Sequence, residues 1–113
     1  MNETYPRELR VFRNRRGQEP FTKWLTSLAD KSTRKRIQTR LSRVETGNLG
    51  DSKQIAPGVF ELRLRIGYRI YFGKVGNTII LLLGGGEKSS QQKDIQNAKI
   101  CWREYLENQN EKI

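Results

Sequence analysis

The chain contains no histidine, and that absence removes a large class of chemistry. A serine or cysteine nucleophile activated by imidazole, a ribonuclease centre built on paired imidazoles, and any histidine-held metal are all excluded. Cysteine is nearly absent as well. Cys101 stands alone, so no intrachain disulfide can form, and one thiol without histidine makes no ordinary zinc site. Cys101 falls in a helical pattern and reads as a small packing residue. Long apolar runs are missing: the longest, residues 78–83, is far short of the ~20 residues needed for a membrane-spanning helix. Residues 1–8 lack the apolar stretch of a signal peptide. These absences lead to the expectation of a cytoplasmic protein with no membrane partner.

Acidic residues are scarce relative to basic ones. Asp plus Glu is 12 against 22 Lys plus Arg, a net charge of +10 on 113 residues. The first half carries most of the excess, with 12 basic and 5 acidic residues in 1–50. A charge of this size on a small domain favours a polyanionic partner through long-range attraction and counterion release. A basic surface kept only for solubility is the other reading, although acidic residues usually serve that purpose better. Apolar residues make up 35% of the chain, below the ~45–50% usual when glycine is counted as apolar. Two Trp, four Phe and four Tyr nonetheless supply bulky core material. Residues 1–113 are expected to form a single domain.

Local patterns give an element order. Residues 5–13 alternate as a strand. Residues 14–18 read as a turn. Pro20 opens a helix at its first position, with Phe21, Trp24, Leu25 and Leu28 at helical spacing. Asp30 or Ser32 caps a second helix that ends before Gly47. Its apolar stripe, Ile37, Leu41 and Val44, is thin, and Lys31, Arg34, Lys35, Arg36, Arg40 and Arg43 make the remainder basic. Residues 48–58 read as a connector. From Val59 the period changes to two, giving strands over 59–66, 68–75 and 78–83, with Gly76-Asn77 as a two-residue hairpin turn. Gly84-Gly85-Gly86 ends the last strand. Ser89 and Gln92 have capping-box spacing, and Ile95, Ala98, Trp102, Tyr105 and Leu106 continue a final helix. The expected fold class is α+β: an N-terminal strand, a helical hairpin, a three-stranded antiparallel meander and a C-terminal helix.

The hairpin around Gly67 holds the candidate chemistry. A three-residue loop at 66–68 pairs Arg65 with Arg69 and Arg63 with Tyr71. Leu62, Leu64, Ile70 and Phe72 then share one face, and Glu61, Arg63, Arg65, Arg69 and Tyr71 share the other, taken as open. Clustered arginines repel one another, and phosphate oxygens suit planar guanidinium groups. A solvated face with Glu61 bridging Arg63 or Arg65 is the competing reading. The glycine run entering the last helix is a candidate anion loop with Lys88 at its edge, or an ordinary flexible loop. The basic second helix, with Arg36 and Arg40, is a candidate docking surface for RNA phosphates, or a solvated outer face.

The stretch Val59-Phe-Glu-Leu-Arg-Leu-Arg-Ile-Gly-Tyr-Arg-Ile-Tyr-Phe, the run 79–83, the block Gly86-Glu-Lys-Ser-Ser-Gln-Gln-Lys-Asp-Ile95, and Gly47-Asn-Leu-Gly-Asp-Ser-Lys53 resemble the RelE/HigB-like toxins of type II toxin–antitoxin systems. Within them, the branch called addiction module killer proteins is the nearer match. The resemblance covers about residues 8–106. It implies a microbial RNase-like fold and a toxin that cleaves messenger RNA on the ribosome, without metal or other cofactor. It further implies a cognate antitoxin that holds the toxin inactive in a toxin–antitoxin hetero-oligomer. Carried over by position, Arg63, Arg65 and Arg69 match the family's basic strand residues, and Lys88 matches the basic residue after the last strand. Arg63 and Arg69 are then expected to stabilise the phosphate, Glu61 or Lys88 to act as base, and Tyr71 to orient the substrate or stack on a base. Arg65, Lys93, Arg36 and Arg40 are expected to bind RNA. The absence of histidine, and Asp94-Ile95 where some relatives place a tyrosine, depart from the family pattern at the acid and base. A non-catalytic gyrase-inhibiting toxin of the ParE type, which shares the fold, and a plain nucleic-acid-binding module are the alternatives.

Overall fold

The computed structural model describes residues 6–111. Strand β1 (Glu8–Val11) is followed by helices α1 (Pro20–Ser27) and α2 (Lys31–Glu45). Four strands come next: β2 (Ser52–Ala56), β3 (Val59–Arg63), β4 (Tyr68–Val75) and β5 (Ile79–Glu87). A 3-10 turn (Lys88–Ser90) then leads into helix α3 (Gln91–Glu111). The expected strand start at Tyr5 lies outside the described residues. The strands form one mixed sheet in the order β1-β5-β4-β3-β2, with β1 parallel to β5 and the other pairs antiparallel. The α+β class holds, but the antiparallel part has four strands, not three.

The helix boundaries follow from local chemistry. Pro20 occupies the first turn of α1, where its missing N–H is no loss. Asp30 caps α2, its carboxylate accepting from the Ser32 N–H and the Thr33 hydroxyl. Gly47 follows α2 at φ 102°, a conformation that favours glycine after a helix end.

Both faces of the sheet are covered. On one, Phe21 of α1 and Ile37, Leu41 and Val44 of α2 pack on Leu62, Ile70, Phe72, Ile80 and Leu82. On the other, Ala98 of α3, flanked by Ile95, Trp102 and Tyr105, packs on Val59, Tyr71, Leu81 and Leu83. This arrangement overturns the expectation of an open face carrying Glu61, Arg69 and Tyr71.

The glycine run corrects a second expectation. Gly84, Gly85 and Gly86 do not end the strand. They pair with Tyr71, Ile70 and Arg69 inside β5. A Cβ on Gly85 would collide with the Trp24 ring from one side of the sheet, and a Cβ on Gly86 with the Asp94 carboxylate from the other. Glycine is needed here for close approach, not for a loop. Two turns also differ from expectation. The β4–β5 connection spans residues 76–78, since Val75 pairs with Ile79. The β3–β4 turn spans residues 64–67, closed by Leu64 N–H to Tyr68 O and Gly67 N–H to Leu64 O. α3 begins at Gln91, and Ser90, not Ser89, makes the side-chain bond there, donating to Asp94 Oδ2 at 2.5 Å.

Candidate functional site

The four-residue turn sets the β3–β4 register two residues away from the one expected. Arg63 pairs with Arg69, Glu61 with Tyr71, and Leu62 with Ile70. Because side chains alternate with period two, the shift keeps every residue on its expected face and changes only its partner. Arg65 moves out of the ladder into the turn.

Glu61 is the centre of the site. Its side chain has no exposed surface, lying under the start of α3. The carboxylate accepts from Arg63 Nε at 2.9 Å and from Gln91 Nε2 at 2.7 Å, and Arg69 Nε lies 3.5 Å away. Burial alone would push this carboxyl group's pKa up. The bonds from Arg63 and Gln91 and the two guanidinium charges outweigh burial, and the pKa ends below the ordinary glutamate value. Glu61 is therefore an ionised anchor that orders two arginines. With no accessible surface it cannot reach a substrate hydroxyl, so the base role expected for it is not available. Arg63 is 39% exposed and Arg69 14%, so each keeps some surface on which to meet an anion.

Tyr71 is fully buried. Its hydroxyl has no hydrogen-bond partner of ordinary geometry among the described residues. Burial, then the nearby Glu61 and Asp94 charges, pushes its pKa up, so it stays protonated. It cannot stack on a nucleobase, and its expected substrate role is withdrawn. Lys88, in the 3-10 turn, and Lys93, in the first turn of α3, are both exposed. They follow a strand whose glycine N–H groups belong to sheet residues, so the predicted anion loop is absent.

The remaining candidates converge elsewhere. Arg36 and Arg40 of α2 and Arg63 and Arg65 of the β3–β4 hairpin line one groove of about 990 Å³. Lys35 and Arg43, also on this groove, belong to the basic second helix that the sequence marks as a candidate docking surface, whereas Gln91 at the Glu61 site is not expected from the sequence. The spacing of residues 32, 35, 36, 39, 40 and 43 was the available signal for the first two. For Gln91 there was none, because its partner is 30 residues away.

No group of three or more His, Cys, Asp or Glu side chains among the described residues could hold a metal ion. No helix among them is long and apolar enough to cross a membrane.

No family model matches the sequence. An uncharacterized protein of Haemophilus influenzae is 40% identical over 86 residues, which is 74% of this chain and 87% of the Haemophilus protein. Identity at that level over most of both chains means that this chain belongs to the same family as the Haemophilus protein.

Proposed function

We propose that the chain is the toxin of a type II toxin–antitoxin system, with a RelE-like, microbial RNase-like fold, that cleaves messenger RNA on the ribosome and so blocks translation. The observation that carries this reading is the pair of cross-strand arginines, Arg63 and Arg69, oriented by one buried carboxylate. They stand where the resemblance puts the basic strand residues. Two fixed guanidinium groups with a shared counter-ion are pre-organised for a phosphate, and such donors are often the largest contribution to catalysis.

In the proposed reaction an RNA 2′-OH attacks the adjacent phosphorus and gives its proton to a base. The bond from phosphorus to the 5′-oxygen breaks, and that oxygen takes up a proton. The products are a 2′,3′-cyclic phosphate and a 5′-hydroxyl. Arg63 and Arg69 offset the charge gathered on the phosphorane oxygens. Lys88 is the remaining candidate for proton transfer now that Glu61 serves as anchor. Arg65 and Lys93 engage flanking phosphates. No cofactor is required. A cognate antitoxin presenting acidic and apolar residues would restrain the toxin in the cytoplasm.

Induction without an antitoxin, followed by primer extension on cellular mRNA, tests the reading. Growth arrest with cuts inside translated regions is the expected result. A second reading is favoured by one observation: the carboxylate and the phenol nearest the arginines are both fully buried, as a non-catalytic protein would tolerate. Arrest with intact mRNA and blocked replication would assign the chain to the gyrase-inhibiting type.

A further inference from the structure

Helix α2 carries two stripes. Ile37, Leu41 and Val44 face the core. Ser32, Lys35, Arg36, Thr39, Arg40 and Arg43 recur at intervals of three and four and form a second face along one groove wall. Arg63 and Arg65 complete the other side, and among the described residues Asp51 is the only acidic one on the lining. The floor is not a loose surface charge. Arg40 is 9% exposed. One nitrogen of its guanidinium donates to the Leu49 carbonyl, and Nη1 is buried with no hydrogen-bond partner among the described residues. Burial, then the Arg43 charge, lowers its pKa. The chain also makes room for it: Gly50, at φ 63°, sits where any Cβ would collide with the Arg40 guanidinium.

Arg40, a buried cation whose Nη1 has no hydrogen-bond partner among the described residues, shares the groove with five more cations and two hydroxyls against one carboxylate, Asp51, so most of the positive charge there is unmatched. From this geometry we infer that the α2 groove is a binding channel for the phosphodiester backbone of RNA, separate from the Arg63–Arg69 centre and joined to it through Arg63. This inference rests on the proposed action on RNA and adds where the strand runs: from the Glu61-anchored arginines, past Arg65, along α2. Guanidinium groups and hydroxyls suit phosphate oxygens. Leu64 and Ile66 are the lining's apolar side chains, against six cationic ones, so an acidic or polyanionic ligand fits the groove better than an apolar protein segment.

The test uses a fluorescein-labelled, fully 2′-O-methylated RNA of about twelve nucleotides, within the span of single-strand sites. It has no 2′-OH and cannot be cut, so binding is read independently of cleavage. A failure of the cleavage reading would appear in primer extension and leave this measurement intact. The variant Lys35→Ala/Arg36→Ala/Arg43→Ala is compared with Arg16→Ala/Lys23→Ala/Arg103→Ala, three exposed residues away from the groove that lower net charge equally. Circular dichroism verifies folding. Each lost contact to a single strand removes about 0.7 from the slope of log affinity against log salt, so the groove variant should lose roughly 2 slope units and about 100-fold in affinity at 0.1 M salt. The control should lose less than about threefold if only direct contacts matter. Equal losses in both variants, or no loss in the groove variant, would overturn the inference. So would polyglutamate of matched charge competing as well as RNA, which would assign the groove to an acidic protein, or tighter binding of DNA of the same sequence.

Discussion

Replacing Glu61 with glutamine removes one negative charge and almost no volume, and the structure says how much that should matter. The carboxylate has no accessible surface and two hydrogen-bond donors, Arg63 and Gln91, with a second cation, Arg69, 3.5 Å away. Arg63 and Arg69 face each other across β3 and β4, so the variant would leave two cations side by side without the carboxylate they share. Breaking a buried pair by removing one partner typically costs 3–5 kcal/mol. Because Arg63 keeps one side of the cluster in contact with water, the lower end applies, about 3 kcal/mol. At this chain length that lowers the melting temperature by roughly 12 °C. The pH dependence gives a sharper signature. Glu61 has a folded-state pKa below its unfolded value of 4.5, so the unfolded state binds the proton more readily. Its contribution is complete above the ordinary glutamate range and is lost as pH falls through the lowered folded value. Urea denaturation of wild type and Glu61→Gln from pH 7 to pH 3 should therefore show a stability gap that is widest at neutral pH and narrows in acid. Other carboxylates cancel in the difference. A gap of equal size at both ends, or no gap, would refute the anchoring role.

Other substitutions probe the same frame. Arg69→Ala should destabilise the fold beyond the ~0.5 kcal/mol typical of surface changes, because it deprives buried Glu61 of a partner; it should also abolish mRNA cleavage in a strain that accumulates folded protein, with Arg69→Lys restoring only part, as read by thermal melts and primer extension. Gly86→Ala should cost about 1–3 kcal/mol by forcing the Asp94 carboxylate and the start of α3 off β5, and a calorimetric melt unchanged from wild type would contradict that contact. Cys101 is half-buried, and burial, then the Glu104 charge, raises its pKa; alkylation by iodoacetamide at pH 8 should run about tenfold slower in the native protein than in urea.

Much of the fold was legible where the cause is local. Pro20, Asp30 and Gly47 mark helix ends through the backbone groups beside them, and a sequence displays those directly. The sheet was legible only to the parity of its residues. Alternation fixed which side each residue of β3 and β4 faces, but the turn at 64–67 closes through backbone bonds that no side chain announces, so partners were misjudged by two. Strand β2, Ser52–Ala56, went unread because it is a short edge with Ile55 as its one bulky apolar residue, and its pairing shifts between Gln54 and Ala56. The glycine run misled for a related reason: glycine in a loop and glycine under a tryptophan look alike until Trp24 and Asp94 are placed over it.

The site departs most from its sequence reading at Glu61 and Tyr71, and one cause accounts for both. An alternating strand reads as half wet when one covering layer is assumed. Here α1 and α2 take the apolar face and α3 takes the other, so the polar side of β3 and β4 is also covered. A charge placed there survives only if paired and hydrogen-bonded. Glu61 meets that condition through Arg63 and Arg69 on its own hairpin and Gln91 from the covering helix. The cluster thus joins the strand pair to the start of α3. A sequence shows such a residue as one more charge among many. Its rank follows from the cost of burying it, which becomes visible when the helix that covers it is in place.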